Sequence, residues 1–383
     1  MQYKSHKIRL ELNNKQATLA KKHAGVARHA YNWGLDVCKK AFDNKQKKPS
    51  AIDLHKKLVK EVKTQYAWYY EVSKCAPQQA LRDLDTSFQR FFKKTSKFPR
   101  FKKKGIKDSF YSEGNIEIKD NRIKIPIFGW LKLSEQFNNL KGIKNVRISR
   151  KANHWFVSFK TEFKPDKIQA KRNTPVGVDL GIKTLATLSD GLVFENRRPY
   201  KTYKRKLKLA QRQLSKKYKK GQKIQSKNYQ KAREKVADLH YKISCIRQDS
   251  LHKLTTHLAK NHSKIVIEDL NVSGMSKNHK LASAILDGGF YEFRRQLTYK
   301  CEWYGSTLVV ANRFYPSSKT CSQCKVVKQD LTLKDRMFKC DACGFHTGRD
   351  FNAALNLKNW AVSSTVSARG VSNNPKPSGK GTR

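Results

Sequence analysis

The stretch Val176-Gly177-Val178-Asp179-Leu180-Gly181 decides the fold. It is a short apolar run ending in a carboxylate and a glycine, the pattern of a buried strand that stops at a functional edge. Residues 184–188 and 192–195 read as two further strands around the turn Ser189-Asp190-Gly191, so the three make a meander. Downstream, Ile265-Val266-Ile267 repeats the pattern and also ends in acid, Glu268-Asp269-Leu270.

Between these runs, residues 200–260 read as a basic helical hairpin broken at Gly221. They hold 19 Lys/Arg against 3 Asp/Glu, a net +16. A helix follows over roughly 285–304, then the strand Thr307-Leu308-Val309-Val310. A last helix opens near Arg349-Asp350 and carries Phe351, Ala354, Leu355 and Leu357. Meander, helices, strand and final helix in this order describe an RNase H-like α/β domain.

The upstream half reads differently. Residues 3–12 alternate like a strand, and 15–95 are mainly helical, with Leu19, His23, Val26, Ala30 and Trp33 recurring at spacings of three or four. A second helix runs from about Pro77, with Leu81, Leu84, Phe88, Phe91 and Phe92 on one stripe. From 108 to 163 short strands return, including Ile116-Glu117-Ile118, Arg122-Ile123-Lys124-Ile125-Pro126 and Trp155-Phe156-Val157-Ser158-Phe159. Hairpin turns are expected at Asp120-Asn121 and Asn153-His154. Strand 3–12 joins this group, which predicts a small β-barrel with a helical insert. A linker is expected at 164–173 and a disordered tail from Ser363, rich in Ser, Gly, Pro and Asn.

Charge bounds the partners. The 383 residues carry 82 Lys+Arg against 30 Asp+Glu, a formal net charge of +52. Self-repulsion on that scale opposes compaction unless a polyanion neutralises it. A small DNA-binding domain contacts roughly 6–10 phosphates, whereas a ~20 bp RNA–DNA hybrid carries roughly 40. The excess fits a long nucleic acid, although a general RNA binder such as a ribosomal protein shares it. Within 93–105, Phe98, Arg100, Phe101, Lys102, Lys103 and Lys104 interleave rings with cations, as a phosphate-tracking loop with stacking aromatics does. A solvated loop with Phe anchors is the plainer alternative. Lys204, Arg205, Lys208 and Arg212 on the basic hairpin are candidate contacts to a duplex backbone. No apolar run approaches signal-peptide or membrane-span length, so a soluble, cytoplasmic protein is expected.

Two constellations carry chemistry. Cys321-x2-Cys324-x15-Cys340-x2-Cys343 matches a four-cysteine zinc ribbon. Four thiolates complete a tetrahedron around one Zn2+, so the metal would be structural. Disulfides are the alternative, which an intracellular setting disfavours, and His346 is a possible competing ligand. The remaining cysteines, Cys38, Cys75, Cys245 and Cys301, read as reduced core thiols. The second constellation is acidic: Asp179 and Glu268 end strands and Asp350 opens a helix. Singly, each has a structural explanation as a turn former or helix-end acid. Together, three carboxylates suit a pair of hard cations, Mg2+ or Mn2+, ~3.5–4 Å apart, which is the equipment of phosphodiester hydrolysis. Adjacent strand residues face opposite ways, so Glu268 and not Asp269 is expected to face the metals.

At these residues the chain resembles the TnpB family of transposon-encoded RNA-guided nucleases, relatives of the type V CRISPR effectors. The resemblance rests on Gln78-Gln79-Ala80-Leu81-Arg82-Asp83-Leu84-Asp85, Phe98-Pro99-Arg100-Phe101-Lys102-Lys103-Lys104, Gly177-Val178-Asp179-Leu180-Gly181 and Ile267-Glu268-Asp269-Leu270. It continues through Tyr315-Pro316-Ser317-Ser318-Lys319-Thr320-Cys321-Ser322-Gln323-Cys324 and Arg349-Asp350-Phe351-Asn352-Ala353-Ala354. It implies a wedge-like β-barrel (1–12 and 107–172), a helical recognition insert (13–106), a RuvC nuclease domain (173–313 and 347–362) and a zinc ribbon (314–346), with a disordered tail (363–383). It further implies the catalytic triad Asp179, Glu268 and Asp350 and one RuvC site cutting both strands of DNA beside a short flanking motif. Lys74 and Gln78, by position, read that motif. The implied partners are a guide RNA from the transposon end and a double-stranded DNA target, bound by a monomer with one RNA in a bacterial or archaeal cytoplasm, at the nucleoid. A nuclease-inactive RNA-guided repressor and a transposase performing strand transfer are the competing activities. Two positions depart from the family: Gly348 stands where Asp is frequent, and Lys325 where Gly is usual.

Overall fold

Alternation builds the first half of the molecule. In β1 (Gln2–Glu11) Ile8 and Leu10 point inward; so do Ile123 and Ile125 of β3 (Arg122–Ile125) and Trp155, Val157 and Phe159 of β6 (His154–Phe163). With β2 (Ser109–Lys119), β4 (Gly129–Leu133) and β5 (Leu140–Lys151) they form a closed barrel in the order β1-β4-β3-β2-β5-β6. Antiparallel β1 and β6 close it, with Ile8 opposite Val157 and Leu10 opposite Trp155, which leaves no free edge. The computed structural model describes residues 2–137, 140–163, 175–222, 224–332 and 334–369, and the chain divides into two units, Met1–Lys164 and Pro165–Arg383.

Three α-helices lie between β1 and β2: α1 (Asn14–Asp43), α2 (Ala51–Lys57) and α3 (Cys75–Phe92). A reciprocal capping box starts α1: the Asn13 side chain accepts from Gln16 N–H and the Gln16 side chain from Asn13 N–H. Ala20, Ala24, Ala27, Ala30 and Leu35 of α1 and Leu81, Leu84 and Phe88 of α3 share one core with the barrel interior. Pro77 sits in the first turn of α3, which begins two residues before the expected start. The Asp120-Asn121 turn is present, but the β5–β6 hairpin turns one residue early. Lys151 pairs with His154, and Ala152 takes the left-handed position at φ 53°.

The second unit is built on a five-stranded sheet in the order β11-β10-β7-β8-β9. The meander is β7 (Val176–Leu180), β8 (Thr184–Leu188) and β9 (Val193–Glu195); β10 (Lys264–Glu268) runs parallel to both β7 and β11 (Thr307–Ala311). The remaining helices are α4 (Pro199–Lys217), α5 (Lys227–Asn261), α6 (Val272–Met275), α7 (Ala282–Gly288), α8 (Phe290–Tyr304) and α9 (Arg349–Arg369). Two faces of the sheet are covered. Val176, Val178, Ile265 and Ile267 pack on Leu251, Leu254 and Leu258 of α5 and on Phe293 and Leu297 of α8. Val266 and Ala311 pack on Leu357 of α9. A two-stranded ribbon, β12 (Met337–Lys339) and β13 (His346–Gly348), interrupts the chain between β11 and α9.

Three expectations need correction. The helix expected over 285–304 is two, split where Gly289 adopts φ 70°. Cys245 is exposed, unlike the buried Cys38, Cys75 and Cys301. Residues 363–369, where the disordered tail was expected to begin, belong to α9, which continues to Arg369; 361–369 contain no Gly or Pro to stop it, and 370–383 lie outside the described residues. The expected linker at 164–173 also lies outside them. No helix among the described residues is long and apolar enough to cross a membrane.

Gly177 fixes the position of α9. A Cβ there would lie 2.0 Å from the Ala354 carbonyl oxygen and 2.6 Å from the Lys358 nitrogen, both helix backbone. Gly177→Ala must therefore push the helix off the sheet. The expected loss is about 3 kcal/mol, the upper end of ordinary overpacking. For a unit of this size that lowers the thermal midpoint by about 10 °C. An unchanged melting curve would refute the close packing.

Candidate metal and nucleic-acid sites

The strand register brings the acids together. Ile267 is opposite Val178, so Glu268 and Asp179, the next residues, are neighbours at the carboxyl ends of adjacent parallel strands. This edge is where ligands bind open α/β sheets. Asp350 arrives by a separate route. Gly177 touches Ala354 on α9; Asp179 lies two residues further along the same strand face, and Asp350 one turn earlier on the same helix face. The three carboxylates are partly buried, and their charges meet. Burial first, then Glu268 and Asp350, push the Asp179 carboxyl well above the usual range, opposed by Arg349. Arg349 Nη2 lies 3.3 Å from Asp350 Oδ1.

Asp269, next to Glu268, is engaged by two arginines. It pairs with Arg294 at 2.6 Å and Arg313 at 2.5 Å, and these hydrogen bonds hold its carboxyl below the usual range. Both arginines remain half exposed and line a cleft that also includes Glu268. Sequence reading missed them because two arginines in a chain with 82 basic residues give no signal. It also missed Ser317, whose hydroxyl donates to Glu268 Oε1. Asn352 and Asn356 were missed too; both are fully buried one turn apart on α9. Polar residues on a helix's apolar face were the available signal.

The cysteines form a second centre. Their ligand atoms all lie within 4.8 Å of one another, the only such group among the described residues. Cys324 and Cys340 sulfurs are 3.5 Å apart, and those of Cys321 and Cys343 are 3.7 Å apart. Zn–S bonds of ~2.3 Å in a tetrahedron place sulfurs roughly 3.8 Å apart, so the four fit one zinc ion. His346 lies in β13 and is not part of the group. Backbone N–H groups, Cys343's first, lower the Cys340 thiol to about 7. Among the described residues Asp179, Glu268 and Asp350 do not form so compact a group.

Both knuckles turn through a left-handed residue just after their second cysteine: Lys325 at φ 67° and Gly344 at φ 73°. Lysine has a Cβ that disfavours this region by roughly 1–2 kcal/mol. Its ammonium recovers part of that by donating to the Ser322 carbonyl at 2.7 Å. Lys325→Gly is therefore expected to stabilise the ribbon by about 1 kcal/mol, read as slower zinc loss to a chelator. Faster loss would contradict the strain.

Among the candidate nucleic-acid contacts, Lys74, Arg100, Lys103 and Lys104 are exposed and Gln78 is half buried one turn after Lys74. Lys102 is not a free cation. Its ammonium sits 3.8 Å over the Tyr31 ring, burial lowers its pKa, and its backbone N–H and C=O both bond to Asn32. It anchors the loop, which leaves Arg100, Lys103 and Lys104 outside. On α4, Leu207 and Ala210 face inward, so Lys204, Arg205, Lys208 and Arg212 form the solvent face.

Comparison with known proteins agrees with this architecture. Residues 158–279 match a family described as "Probable transposase", 290–357 match "Cas12f1-like, TNB domain", and 1–47 match a "Helix-turn-helix domain". In that last stretch the structure has β1 and one continuous helix, α1. The chain is 36% identical over 311 residues to the "Putative RNA-guided DNA endonuclease InsQ" of Escherichia coli, covering 77% of this chain and 76% of that one. It is 36% identical over 379 residues to a "Putative RNA-guided DNA endonuclease" of Streptomyces pristinaespiralis, covering 96% and 92%. A Cas12f1 chain solved with guide RNA and target DNA has the same fold, with TM-score 0.57, 14% identity and coverage of 94% and 99%. The chain belongs to the TnpB family of transposon-encoded RNA-guided DNA endonucleases.

Proposed function

We propose that this chain cuts double-stranded DNA beside a short flanking motif, at a place chosen by a guide RNA from the transposon end, acting as a monomer with one RNA in the cytoplasm. The observation that carries the site assignment is the convergence of Asp179, Glu268 and Asp350 at the carboxyl edge of the sheet. These carboxylates would hold Mg2+ or Mn2+, which supplies an activated water and charge neutralisation at the leaving oxygen when bound. Asp269 fixes the guanidiniums of Arg294 and Arg313, which grip phosphate oxygens of the strand entering the cleft. Cys321, Cys324, Cys340 and Cys343 would hold one structural Zn2+. Lys74 and Gln78 read the flanking motif, and Arg100, Lys103, Lys104, Lys204, Arg205, Lys208 and Arg212 neutralise phosphates.

The test is plasmid cleavage by the protein purified with its RNA. Cutting is expected with Mg2+ and is lost with EDTA or after RNase treatment before the plasmid is added. Joining of DNA ends without RNA would overturn the proposal in favour of a transposase. RNA-guided binding without cutting would overturn it in favour of a repressor.

A further inference from the structure

We propose that Ser317 is the positioning residue of Glu268, and that the segment leading into the zinc ribbon exists in part to hold it there. This rests on the metal-binding reading of the three carboxylates. Glu268 ends β10 with a long side chain whose rotamers are free unless a partner fixes them. The Ser317 hydroxyl, 4% exposed, donates to its Oε1. That one bond selects a rotamer and leaves the second oxygen for a cation.

Ser317 is itself held by α9. Its carbonyl accepts from Asn356 Nδ2 at 2.9 Å. Three residues on, the Thr320 carbonyl accepts from Asn352 Nδ2 at 2.7 Å and Asn356 Nδ2 at 2.5 Å. Asn352 Oδ1 in turn accepts from the Ser322 N–H at 3.0 Å. Thr320 and Ser322 flank Cys321, the first cysteine of the ribbon. Asn352 and Asn356 belong to α9, which carries Asp350 two residues before Asn352. Two asparagines thus bind one segment at three points, Ser317, Thr320 and Ser322, and that segment includes Cys321 of the ribbon at one end and touches Glu268 at the other. The start of the ribbon and Glu268 are tied by hydrogen bonds to the helix that carries Asp350.

An outer partner of a metal-binding carboxylate is worth 10–100-fold in metal affinity. Ser317→Ala should weaken Mn2+ binding to the RNA-bound protein by that factor. The readout is electron paramagnetic resonance titration, counting only the Mn2+ signal that Asp179→Asn removes. Zinc content should stay at one ion, and the cleavage rate at saturating Mg2+ should fall far less than the rate at low Mg2+. Ser317→Thr keeps the hydroxyl and should bind Mn2+ within about threefold of the parent. Unchanged Mn2+ affinity in Ser317→Ala overturns the proposal, as do equal losses in the Ala and Thr variants, which would report packing alone. If Asp179→Asn removes no Mn2+ signal at all, the metal reading of the three carboxylates fails first, and with it this inference.

Discussion

Asp179→Asn is expected to lower DNA cleavage by roughly 10^3-fold or more, about 4 kcal/mol of barrier, while RNA and DNA binding persist. The substitution keeps the shape and removes one charge of the cluster. It also separates lost chemistry from lost folding. Burial, Glu268 and Asp350 raise the Asp179 pKa in the folded protein. Below the unfolded carboxylate pKa both states are protonated and the group is neutral in its effect. As pH rises from there through the folded pKa, the unfolded state has already lost its proton and the folded state holds it, so stability falls. At neutral pH, above the unfolded carboxylate pKa, the metal-free parent bears this cost and Asp179→Asn does not. The variant should melt at or above the parent's midpoint at neutral pH without divalent ions, a gain that vanishes towards acid. A dead variant that also melts earlier would mean that Asp179 holds the fold and not a metal.

Removing zinc is expected to unfold the ribbon outright. Its own core is only Cys321, Phe338 and Cys340 with Leu331 and Phe345 around them, and its strands are three residues each. So small a core cannot fold alone. Structural zinc supplies about 10–16 kcal/mol in such modules, and that binding energy is folding energy. Chelation or Cys340→Ser should abolish hydrogen-exchange protection of the Cys321, Lys325, Cys340 and Gly344 amides. These now bond to the carbonyls of Val326, Cys321, Phe345 and Cys340 respectively. The barrel amides of β1 and β6 should be unaffected. Persistent protection in the zinc-free protein would remove the metal from the account.

What the sequence made legible follows from what leaves a periodic trace. β7 and β10 are buried parallel strands, so they read as short apolar runs, and their terminal acids stood out in a chain with 30 acidic residues among 383. The four cysteines announced themselves by spacing. β5 was harder to bound. Its buried Ile143, Val146 and Ile148 are spaced three and then two apart, where the register with β2 shifts, so strict alternation fails. The Ala152 turn was misplaced because alanine gives no sign of a left-handed backbone. Lys102 read as a phosphate contact because nothing local reveals that its ammonium lies on Tyr31, 71 residues earlier. Ser317 was invisible for the same reason: its role depends on Glu268, brought to it by the pairing of β10 with β11. Long-range partners assign such residues, and periodicity does not encode them.

On the function proposed above, RNA chooses where these carboxylates cut. The most direct measurement replaces the guide segment of the co-expressed RNA and maps cut ends on a plasmid carrying both the old and the new target beside the same flanking motif. Cutting should move entirely to the new target, require Mg2+ or Mn2+, and disappear in Asp179→Asn, Glu268→Gln and Asp350→Asn. Cutting that stays at the old target, or persists in those variants, would contradict that proposal.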